Sequence, residues 1–161
     1  MSKAAEAARA VVAGASQGAL ATLSEDGTPL STWVALSDDG TGTPLFLFSG
    51  LSEHTRNLRA RPRASLLVVA DSSGAGGPMD RARVTLSGAM TFLQGAEAQA
   101  AKSHFVTRNP DAAQYAALPD FTPARLEVET VRFVGGFARA ASLSLDDYRA
   151  SAPTSSSSST P

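Results

Sequence analysis

Residues 44–69, PLFLFSGLSEHTRNLRARPRASLLVV, set a polar, cationic hinge between two apolar segments. Leu45 and Leu47 point to one side of an extended chain and Phe46 and Phe48 to the other, so this strand is apolar on both faces. A strand covered on both sides belongs to a closed barrel packed against a helix or a partner chain. Ser52 then suits an N-cap, Glu53 a first turn and Pro62 a stop, which predicts a short helix. RASLLVVA, residues 63–70, returns to strand.

The hinge raises a chemical question. The first-turn amides of His54 and Thr55 have no intrahelical partners, and helix N-termini attract anions. Thr55 adds a hydroxyl, Arg56 a planar cationic fork, and Ser49 a second hydroxyl from the preceding strand. The same residues also read as a capped surface helix with solvated arginines, and residue types alone leave both readings open.

N-terminal to the hinge, Asp26-Gly27 marks a hairpin and SDDGTGTP a second turn, giving strands over 18–24, 29–37 and 44–49. C-terminal to it, DSSGAGGP is a loop and residues 79–93 a long strand with Gly88 as a bulge or bend. On that strand Ala82, Val84 and Leu86 share one face and Arg81, Arg83, Thr85 and Ser87 the other. Such a polar stripe lines a cofactor groove or simply faces water. Two helical segments follow over 95–110 and 110–119, then strand again over 124–143. There Leu126, Val128 and Thr130 face one way, and Glu127, Glu129 and Val131 the other, until Gly135-Gly136 breaks the pattern. Residues 144–150 close with a turn of helix. Six strands with a helical insert after the fifth fit a small antiparallel β-barrel, mainly β (α+β), with helices at its mouth.

The chain has 161 residues and a net charge of −1, which is one domain by length and no electrostatic footprint for nucleic acid or an acidic membrane. No cysteine is present, which excludes disulfides, thiolate metal sites and a cysteine nucleophile, and agrees with a cytoplasmic location. No apolar run approaches the roughly 18 residues of a membrane span. Residues 2–15 read as a short amphipathic helix, the domain as 1–150, and the Ser-rich residues 151–161 as a disordered tail. His54 and His104 lack acidic partners at metal-ligand spacing, so no metal site is expected. His104 reads as a helix-surface residue, and Glu127 with Glu129 as a solvent face. G-x-S-x-G and G-x-G-x-x-G motifs are absent, and no general acid or base stands out. Trp33, the lone tryptophan, reads either as core or as the wall of a ring-binding site.

The stretches GALATLSEDGTPLSTWVAL, PLFLFSGLSEHTRNLRARPRASLLVV, RARVTLSGAM and VRFVGGFARA, with the insert FVTRNPDAAQYAALPDF, resemble the pyridoxamine-phosphate-oxidase-like superfamily of FMN-binding split β-barrels. More narrowly they are similar to its haem-utilisation branch. The resemblance spans about residues 16–145 and implies a six-stranded antiparallel split barrel. It also implies a homodimer with FMN sites at the subunit interface. It sets Ser31, Thr32 and Trp33 along the flavin, Ser49, His54, Thr55, Arg56 and Asn57 at its phosphate, and Arg83 near the same groove. Arg59, Arg61 and Arg63 are then solvated surface. The activity implied is FMN-dependent oxidoreduction of an unidentified small molecule. The alternative is a haem-binding or haem-utilisation protein, or a non-catalytic binding module. The branch can ligate haem iron through a C-terminal histidine, whereas this chain has no histidine after His104 and carries Ala140 and Ala141 there, which leaves His54 or His104 as the histidines that could serve.

Overall fold

A computed structural model describes residues 2–71, 76–136 and 139–153. Its centre is a single curled antiparallel sheet in the order β2-β1-β5-β6-β7-β4-β3, with β8 added beside β7. The strands are β1 (Gln17–Leu23), β2 (Pro29–Ala35), β3 (Ser37–Asp38), β4 (Pro44–Ser49), β5 (Arg63–Val69), β6 (Arg83–Phe92), β7 (Phe121–Val134) and β8 (Ala140–Leu143). Six of these are the expected long strands. The short β3 was not expected, because a two-residue segment carries too little periodicity to show, and β8 is the end of the expected strand 124–143, set apart from β7 after the break at Gly135-Gly136. The sheet curls until β2 and β4 approach each other without pairing, which leaves the barrel split along that seam.

The alternation rule explains the core. Leu20, Leu66, Leu86 and Val131 lie in one cross-strand row facing inward and are buried. Phe46 and Phe48 enter the same core and stack at 5.1 Å. Leu45 and Leu47, on the opposite face of β4, pack with Leu93, Ala101 and Phe105 into a second cluster. Its cover is α3 (Gly95–Arg108), followed by a 3₁₀ turn at Pro110–Ala112 and α4 (Ala113–Ala116). The two-sided burial read from PLFLF thus comes from a helix of the same chain.

Past Glu129 the expected facing of the last long strand reverses. Ser87 pairs with Thr130 but Gly88 with Val128, so Glu129 is an extra residue in β7. This bulge turns Val131 inward and Thr130 outward, opposite to the sequence-based assignment. Gly88 makes the bulge possible, since a Cβ there would sit 1.9 Å from the Glu127 carbonyl oxygen.

The N-terminal helix α1 (Lys3–Ala13) is tied to the C-terminal helix α5 (Leu145–Ala150) by a buried arginine. Arg9 Nη1 donates to the carbonyls of Tyr148, Arg149 and Ser151, and Nη2 to Gly40 at 3.1 Å. Those of Tyr148, Arg149 and Ser151 are carbonyls that a helix end leaves unpaired. Gly42, with φ +87°, accepts the Tyr148 hydroxyl at its carbonyl oxygen, and any side chain there would strike both Arg9 and Tyr148. Ser151 is buried, so the fold runs one residue past the expected limit; residues 154–161 of the expected tail lie outside the described residues.

Replacing Gly88 by alanine should destabilise the fold by about 3 kcal/mol, because the clash is with backbone. Urea denaturation with an unchanged midpoint would show that the bulge relaxes freely.

Candidate functional site

The hinge forms α2 (Glu53–Ala60), lying across the seam. Three contacts hold it there. Leu58 is buried in the barrel core. Asn57 donates from Nδ2 to Thr22 Oγ1 of β1 at 3.1 Å, a buried pair. His54 lies within 3.3 Å of Thr32 Oγ1 on β2 through Nδ1, and its ring meets Phe48 of β4 at 5.0 Å. His54 therefore touches both strands that border the split. Its half-buried ring is partly stripped of water, which pushes its pKa below the ordinary histidine value.

The cap differs from expectation. Ser52 occupies the N-cap position with extended backbone, but its side chain makes no capping bond. The first-turn amides are thus left for another acceptor. The Thr55 hydroxyl is buried without a partner. Ser49 donates to the Asp120 carboxylate at 3.2 Å, and Arg56 to the Leu51 carbonyl at 3.1 Å. Asp120 places a negative charge beside the entry to α2, so an anion at Ser49 meets repulsion. Leu51, in the turn between β4 and α2, is 81% exposed.

The remaining predicted residues lie elsewhere. Ser31 and Trp33 alternate with Thr32 and face outward, and Trp33 is 69% exposed, so it is not core. Trp33, Ala19, Leu67 and Thr85 form one outward row; Ser31, Ala21, Ser65 and Ser87 form the next. The polar stripe of β6 is therefore on the outer face. Arg83 pairs with Val69, six residues along β5 from Arg63, roughly 20 Å from the end of α2. Its guanidinium donates to the carbonyls of Met79 and Arg81. Within one chain Arg83 does not join the hinge residues.

Several residues read as plain surface are engaged. Arg59 lies over the Phe92 ring at 4.0 Å, Arg61 donates to the Glu25 carbonyl at 2.8 Å, and Arg63 forms a two-pronged pair with Glu129. That pair is exposed and keeps the Glu129 carboxyl below its usual range, chiefly through the Arg63 hydrogen bonds. His104 is half-buried and bonds the Asp38 carbonyl at 2.7 Å, tying α3 to β3. Sequence reasoning missed Thr22, Phe48 and Asp120 as site residues. Only Thr22 carried a local signal, a hydroxyl at an inward position of an otherwise apolar face.

Among the described residues no helix is long and apolar enough to cross a membrane, and no three His, Asp or Glu side chains group as metal ligands. The family model described as "CREG, beta-barrel" matches residues 1–150. The chain is 33% identical over 139 residues to the chloroplastic non-canonical heme oxygenase HOZ of Arabidopsis thaliana, covering 84% of this chain and 41% of that protein. A heme binding protein from Mycobacterium smegmatis is 37% identical with a TM-score of 0.88, over 95% of this chain and 62% of that one. This chain thus spans less than two thirds of either relative. A Listeria innocua protein named for pyridoxamine 5'-phosphate oxidase shares the fold at 17% identity, with a TM-score of 0.62 over 79% of this chain and 94% of that one. The split-barrel architecture expected from the sequence is therefore the observed one.

In ligand-free protein, the His54 imidazole should titrate below the free value of about 6.5. The unfolded chain then takes up the proton first. Stability from neutral burial is present above that pH and lost as pH falls through the folded pKa. An NMR titration of the ring protons with a midpoint above 6.5 would contradict this burial.

Proposed function

The chain belongs to the CREG β-barrel family, and on that premise we propose that it binds haem at the seam of a split barrel. What carries the reading is that two relatives above 30% identity, matched over 84% and 95% of this chain, are both haem proteins by name. The residues at the seam fit such a group. Haem needs a nitrogen, sulfur or phenolate donor, an apolar surface for the ring, and cations for its carboxylates. The region supplies His54, the exposed Leu51, and Arg56, whose guanidinium is exposed. Bound haem supplies one-electron and O₂ chemistry; the chain supplies the ligand, orientation and exclusion of water.

The test is titration of ferric haem into the purified protein. A saturable Soret shift with one site per chain is expected, and added reductant with O₂ then reports whether the haem is degraded. Absence of any saturable shift would sink the reading. FMN-dependent oxidoreduction stands second, favoured by one observation: the uncapped first turn of α2 with the partnerless Thr55 hydroxyl, which suits a phosphate. Parallel titration with FMN decides between them, since a bound flavin changes its own absorbance and fluorescence.

The protein acts as a homodimer in this reading. Support comes from the outer face, where Trp33, Leu67 and Val69 are exposed around a groove of about 380 Å³ that also includes Val11 and Ala15. Flat sheet faces carrying exposed aromatic side chains are characteristic of subunit contacts. Light scattering after gel filtration should give twice the chain mass, and Trp33→Glu should shift the protein to monomer with unchanged far-UV circular dichroism. A monomeric wild type at micromolar concentration would overturn this.

A further inference from the structure

We propose that His54 Nε2 is the atom that ligates the haem iron, and that Thr32 is a positioning residue that orients the ring. The inference rests on the haem reading above and goes further by naming the ligand. It follows from asking which donor among the described residues is both uncommitted and beside the seam.

The common protein donors to haem iron are histidine, cysteine, methionine and tyrosine. The chain has no cysteine. Tyr148 is buried and its hydroxyl is committed to the Gly42 carbonyl. Tyr115 packs on Phe121 at 4.9 Å in the cluster on the far face of β4. Met90 lies in the barrel core at 4% exposure. Met79 stands 59% exposed in a three-residue 3₁₀ turn. His104 has its Nε2 committed to the Asp38 carbonyl at 2.7 Å.

His54 differs from all of these. Its Nδ1 faces Thr32 Oγ1 at 3.3 Å, and among the described residues its Nε2 has no hydrogen-bond partner. The residue is partly exposed, and among the described residues Nε2 is not a buried atom left without a partner. When Thr32 Oγ1 accepts from Nδ1–H, the lone pair is left on Nε2, pointing away from the hydroxyl. Metal-bound histidines are held in this way, with the second ring nitrogen donating to a fixed acceptor. Phe48 supports the ring from within the barrel, and β2 and α2 hold the two partners in register. Just before α2, the exposed Leu51 offers apolar surface for a macrocycle to cover. Ligation would be a ligand exchange: Nε2 would donate its lone pair to the iron in place of a solvent ligand, with no change of oxidation state.

The experiment compares wild type with His54→Ala, His54→Gln, Thr32→Val and His104→Ala, each titrated with ferric haem and examined by absorbance, electron paramagnetic resonance and resonance Raman spectroscopy. Wild type and His104→Ala should both give an imidazole-ligated spectrum. Both His54 variants should lose that signature and bind at least about tenfold more weakly, and added imidazole should restore the spectrum in His54→Ala. Thr32→Val should keep the ligand but, after reduction of the complex with dithionite, shift the iron–histidine stretching band, which a purely structural role would leave unmoved. The amide introduced by His54→Gln can still bond Thr32, so at least one variant reports on ligation with the fold intact, checked by the thermal melt without haem. Wild-type spectra and affinity in both His54 variants would overturn the assignment while leaving haem binding standing. A wild type that binds no haem overturns the haem reading, and the assignment with it.

Discussion

Phe46 and Phe48 stack inside the barrel while Leu45 and Leu47 on the same strand lie beneath α3, so β4 has no face left for water. Each of these side chains contributes about 2 kcal/mol by burial. The constraint reaches beyond energy. A strand buried on both sides needs a helical layer outside the barrel, and the insert between β6 and β7 supplies it. His104 and Asn109 then fasten that insert to the short β3 and the residue before it, through the Asp38 and Leu36 carbonyls. The C-terminal end of β4 hands the chain directly to α2, so the position of the hinge helix is set by the most deeply buried strand.

The seam follows from the same geometry. The sheet path ends with β2 on one side and β3–β4 on the other, and these ends meet without exchanging ladder hydrogen bonds. An open edge is a liability unless something covers it. Here His54 of α2 touches both edge strands, while Leu58 in the core and Asn57 on Thr22 hold the helix in place. That places one imidazole between the two edges, partly dry and supported by a hydroxyl and an aromatic ring. The outer face is a separate surface. Its rows of small and hydroxyl side chains, with Trp33 at one margin, can accept a close neighbour without steric conflict.

Much of this was legible from local pattern. The meander, the two-sided β4, the short hinge helix stopped at Pro62, the glycine-dependent bend at Gly88 and the closing helix all follow from side-chain period and turn chemistry, and these are properties of neighbours in sequence. The reversal of Thr130 and Val131 did not follow, because an extra residue in one strand is defined only against its partner strand. Neither did the engaged state of Arg59, Arg61 and Arg63, whose partners lie at Phe92, Glu25 and Glu129. Ser49 and residues 54–57 could be picked out as a cluster by type and spacing, whereas Arg83, which the resemblance set near the same groove, lies within one chain toward the other end of the sheet by the register of β5 and β6.

The sequence by itself determined the six long strands, the hinge helix, the absence of thiol chemistry and the scarcity of histidine, because these depend on residue type and spacing alone. Only the tertiary structure decided what His54 is. A histidine in the first turn of a polar helix reads the same whether it is solvated or held. Closing the sheet brings Thr32 and Phe48, 22 and 6 residues away in the chain, against one ring, and commits His104 to a backbone carbonyl instead. The physical reason is that a side chain's chemistry is set by what is packed around it, and those groups come from strands whose neighbours are chosen by the fold.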